Sequence, residues 1–72
     1  MDFRAFNQWL KDHDMEVQLA SWCGCAPDMI KIYKGGRLIM VEDYFADTNY
    51  DAMRAELEKL LTLPEIPVLE EP

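Results

Sequence analysis

Positive charge is scarce in this chain. Seven Lys and Arg stand against fourteen Asp and Glu, a formal net charge of −7. Binding a phosphate backbone needs clustered cations, so direct nucleic-acid binding is not expected. Long apolar runs are also missing. No stretch approaches the roughly 18 residues of a membrane span, and Asp2 and Arg4 interrupt any leader-like run at the start. A single histidine and two cysteines give little material for a metal centre or a catalytic triad. With no secretory signal read, the two thiols are expected to be reduced in a cytoplasmic protein.

What is present suffices for one small core. Half of the 72 residues are hydrophobic, with two Trp, three Phe and three Tyr. The charge is unevenly placed. Residues 1–37 carry five acids and five bases, which cancel, whereas residues 38–72 carry nine acids against Arg54 and Lys59. Net charge bears on solubility and partner choice rather than on fold. A basic or mixed protein surface is therefore the expected kind of partner.

The spacing predicts a helix over 3–13, capped by Asp2, with Phe3, Phe6 and Leu10 on one face. Met15 to Trp22 alternates and predicts a half-buried strand. Gly24 and Pro27 mark a loop. Met29 to Lys34 and Arg37 to Tyr44 then flank Gly35-Gly36, a two-residue hairpin turn in which both residues tolerate positive φ. Simple pairing matches Tyr33 with Leu38, Ile32 with Ile39, Lys31 with Met40 and Ile30 with Val41. Ile30, Ile32, Ile39 and Val41 then form the core face, and Lys31, Tyr33, Leu38 and Met40 the other. A second helix opens at Asp47 or Thr48, with Thr48-x-x-Asp51 as its capping box, and stops before Pro64. Arg54 and Glu58 form an i,i+4 pair on it.

The expected fold is α+β with the order α-β-β-β-α. A three-stranded, largely antiparallel sheet carries both helices on one face and leaves the other open. Residues 1–63 form the compact domain and 64–72 an extended, Pro- and Glu-rich tail. This order is similar to that of the double-stranded-RNA-binding domain, which grips phosphates with lysines at the start of its last helix. Here that position reads Asp47-Thr48-Asn49-Tyr50-Asp51, which contradicts RNA binding in that manner.

Two surfaces are candidate partner-binding sites. The open sheet face would offer Tyr33, Leu38 and Met40 edged by Lys31 and Arg37, a composition common in contact surfaces. The second helix would offer Asp47, Asp51, Glu56 and Glu58. The expected function is a protein–protein interaction module, a regulator or inhibitor of a larger cytoplasmic protein, of the kind found among small bacterial or phage-encoded proteins. Mimicry of nucleic acid towards a DNA- or RNA-binding protein is an alternative, as is a homodimer through the open face. No cofactor is expected and no enzymatic constellation is legible.

The rival class rests on thiols. Trp22-Cys23-Gly24-Cys25 is similar to the Trp-Cys-Gly-Pro-Cys site of thioredoxins with one residue fewer. That family needs two residues between its thiols and a helix starting at the first. Here Ala26-Pro27-Asp28 reads as loop, so the activity does not carry over. A zinc site would join Cys23 and Cys25 to His13 and to Asp12 or Asp14, which is a thin donor set.

Overall fold

The computed structural model describes residues 1–21 and 26–70. Helix α1 spans Phe3–Asp12. Its start follows from Asp2, whose carboxylate accepts from the Ala5 N–H at 2.8 Å. Phe6, Trp9 and Leu10 recur at helical spacing and are buried. His13 caps the end, and Asp14 then adopts a left-handed backbone (φ 58°), which turns the chain into the sheet.

Strands β1 (Met15–Ala20), β2 (Met29–Lys34) and β3 (Arg37–Asp43) form one antiparallel sheet in that order. Gly35 and Gly36 connect β2 to β3 with φ of 60° and 77°, the left-handed pair that a tight hairpin turn requires. Helix α2 spans Tyr50–Leu61. The order is α-β-β-β-α, as expected, with α1 packed against β1 and α2.

The hairpin register departs from simple pairing. Lys34 faces Arg37 and Tyr33 faces Leu38 as expected, but Ile32 then faces Met40, Lys31 faces Val41 and Ile30 faces Glu42. One extra residue, Ile39, is accommodated in β3 as a bulge. Side chains alternate with a period of two, so an extra residue reverses the face of everything beyond it. Ile39 and Met40 therefore both join the core, and Val41 is 37% exposed on the far side. Placing Val41 in the core and Met40 on the open face was incorrect for this reason. The bulge buries the longer, more adaptable side chain and leaves the smaller one outside.

The core collects Phe6, Trp9 and Leu10 from α1, Met53 and Leu57 from α2, and Met15, Ile30, Ile32, Ile39 and Met40 from the sheet. Tyr50 rings contact Phe6 and Phe3 with centroids 5.3 and 5.8 Å apart. The Arg54 guanidinium lies 5.1 Å from the Trp9 ring centre and 2.9 Å from the Glu58 carboxylate, so one cation ties α2 to α1. No helix among the described residues is long and apolar enough to cross a membrane.

The start of α2 also differs in detail from expectation. Asn49 is the cap, accepting from the Ala52 N–H at 3.0 Å. Thr48 serves the preceding loop instead. Its hydroxyl accepts from the Phe45 N–H at 2.7 Å and donates to the Asp43 carbonyl at 3.4 Å. A side chain that closes the turn one residue earlier is unavailable for the helix end.

After α2 the chain bends at residues 63–65 and then passes β3 over 66–70 without forming a strand. Ile66 packs against the core, and the Leu69 N–H donates to the Leu38 carbonyl at 2.8 Å. Leu38 is only 2% exposed although it lies on the side opposite the helices. The far side of the sheet is therefore less open than alternation implied.

Candidate functional site

The two ends of β3 hold opposite charge. At its C-terminal end, Glu42 and Asp43 lead into the 44–49 loop. Hydrogen bonds fix that loop along its length: the Tyr44 N–H donates to the Asp28 carbonyl at 3.1 Å, Thr48 ties Phe45 to Asp43, and Asn49 caps α2. The result is a groove of about 300 Å³ between the strand end and the first turns of α2. Glu42, Asp43, Asp47 and Glu56 line it, with Phe45, Ala52 and Met53 supplying apolar wall, and no Lys or Arg among its lining residues. Phe45 is 60% exposed, the most solvent-accessible large apolar residue described. Glu56 also lies 4.0 Å from the Lys59 Nζ, with both side chains largely in solvent. Such a pair contributes little.

The four acids expected to act together separate into two groups. Asp47 and Glu56 line the groove. Asp51 instead accepts from the Met1 ammonium at 2.8 Å, and Glu58 is engaged by Arg54. Glu42, Asp43 and Phe45 complete the site. Phe45 carried a faint signal in the sequence, an aromatic residue among acids with no periodic apolar partner.

The expected sheet-face patch is not assembled. Met40 is in the core and Leu38 is buried, so neither offers contact area there. Lys31 and Tyr33 are half-buried on that face, beside exposed Val41. Arg37 stands at the turn end of β3, lining a second cleft with Lys34.

Cys23 and Cys25 lie outside the described residues. His13 is held at the end of α1, with Nδ1 2.9 Å from the Trp9 carbonyl oxygen and its ring 4.7 Å from the Trp9 ring. Among the described residues, no three His, Cys, Asp or Glu side chains gather in a group able to hold a metal ion.

One titration is displaced near the site. Burial pushes the Tyr50 phenol above its ordinary value of 10.0, and the Tyr44 phenol raises it further.

Comparison of the chain with protein-family models, with curated proteins and with solved structures gives no match.

Proposed function

We propose that the protein is a non-catalytic interaction module that docks a basic protein segment into the acidic groove at the end of β3, with Phe45 as the apolar anchor. One observation carries this reading. Four carboxylates and a 60% exposed aromatic ring share a groove whose lining residues include no cation. Charge of one sign on a concave surface speeds encounter and selects partner sign, while an aromatic anchor supplies contact energy. Burial of Leu38 and Met40 favours the groove over the sheet face as the docking surface.

The test uses Lys- and Arg-rich peptides, each with one apolar residue, titrated into the ¹⁵N-labelled chain. Binding should shift amides of residues 42–56 and weaken as salt rises. The double variant Asp43→Lys with Glu56→Lys should bind about tenfold or more weakly, and Phe45→Ala should weaken binding while keeping the salt dependence. Equal affinity for the native chain and the charge-reversed variant would overturn the proposal.

A further inference from the structure

Among the described residues, no strand lies beside the outer edge of β3, where the sheet ends. Exposed edges offer unpaired backbone groups to any extended chain. Here residues 63–70 partly occupy that edge. They are held by Ile66 against the core and, among the described residues, by one backbone hydrogen bond to the sheet, from Leu69 to Leu38. Proline limits the pairing on the described side of Leu69. Where a chain lies along a strand edge, N–H groups two residues apart point the same way, so the donor preceding Leu69 on that side falls at position 67. That position is Pro67, which has no N–H. Pro64 removes another donor from the same segment. The segment is also not pressed flat. A cleft of about 340 Å³ separates Leu63, Glu65 and Val68 from Lys34, Arg37 and Ile39. Leu63, Val68 and Leu69 stay substantially exposed.

We infer that the β3 edge is a peptide-binding site closed by its own strap, residues 63–70, and that its external ligand is an extended aliphatic segment bearing a carboxylate. The strap itself displays the chemistry the edge accepts. It places an aliphatic side chain on the core and a backbone donor on Leu38, and Glu65 lines the same cleft as Lys34 and Arg37. A ligand without prolines makes the backbone bonds that the strap forgoes, and so competes with it by adding a strand. This site is separate from the acidic groove and opposite to it in charge preference.

The probe is a synthetic peptide with the sequence of residues 63–70 carrying Pro64→Val and Pro67→Val, with a scrambled peptide as control. It is titrated into the full chain and into the full-chain variant Leu69→Pro, which deletes the one backbone donor. Leu69 is 43% exposed, so that variant spares the core. The variant should bind the peptide about tenfold more tightly than the native chain, with amide shifts over 37–43, and the scrambled peptide should not bind. The full-chain variant Ile66→Asp, checked for native circular dichroism, should behave likewise. Equal affinity for native and variant chains, shifts away from β3, or no binding to either variant would overturn the inference. So would ¹⁵N relaxation over 63–70 that both substitutions leave unchanged.

Discussion

Strand β3 begins at a cation and ends at two carboxylates, and its two ends are finished differently. At the turn end, Lys34 and Arg37 line the same cleft as Glu65 of the strap, so charges of both signs border it. At the far end, Glu42 and Asp43 meet Asp47 and Glu56, so like charges gather. The difference teaches that surplus charge alone does not locate a docking surface. What distinguishes the acidic end is that no Lys or Arg stands among the residues lining it.

The largest effect should come from the core that both ends share. Ile32 is fully buried between them, and Ile32→Ala should cost about 2–5 kcal/mol in urea unfolding. Amide signals from both ends should be lost in one transition, and two separate midpoints would divide the molecule into independent halves. A smaller pair of effects addresses each end in turn. Gly36 has φ 77° with open space where a Cβ would stand, so Gly36→Ala should cost about 1–2 kcal/mol from backbone strain alone. At the other end, Asn49→Ala should cost about 1 kcal/mol by removing the α2 cap. Smaller still is the electrostatic difference. Asp43→Lys should raise Tm at low salt and Arg37→Glu should lower it, and both shifts should fade at high salt. Shifts of the same sign would erase the contrast between the ends.

The smallest effect is a pH dependence. The folded chain holds the Tyr50 proton more tightly than the unfolded chain does, because its pKa is raised above 10.0. The associated stability is full below pH 10 and declines as pH rises through the folded value. Denaturant melts at pH 9 and pH 11 should differ less in Tyr50→Phe than in the native chain.

Much of this fold was legible in the residues. Gly35-Gly36 fixed the turn because few other pairs accept two left-handed residues in succession. Asp2 marked the start of α1, and the 3.6-residue spacing marked its buried face. Register beyond the turn was not legible, since a bulge satisfies local propensity as well as a regular strand does. Only packing against both helices decides whether Met40 or Val41 goes inside. The acidic surface was legible as composition but not as a site. Glu58 is engaged by Arg54, the i,i+4 pair that spacing does indicate, but Asp51 is engaged by the chain's ammonium, a partner fifty residues away that spacing does not rank. The groove depends on where Thr48 closes the loop.

The bulge at Ile39 has a consequence at the level of the gene. An in-frame loss of that single codon leaves Met40, Val41, Glu42 and Asp43 opposite the same β2 partners and on the same sides of the sheet, at the cost of one buried isoleucine. A substitution that straightened the strand at constant length would do the reverse, sending Met40 to water and Val41 inward. In β3, then, shortening the message by three nucleotides is more conservative of the surface than rewriting a residue so as to regularise the backbone.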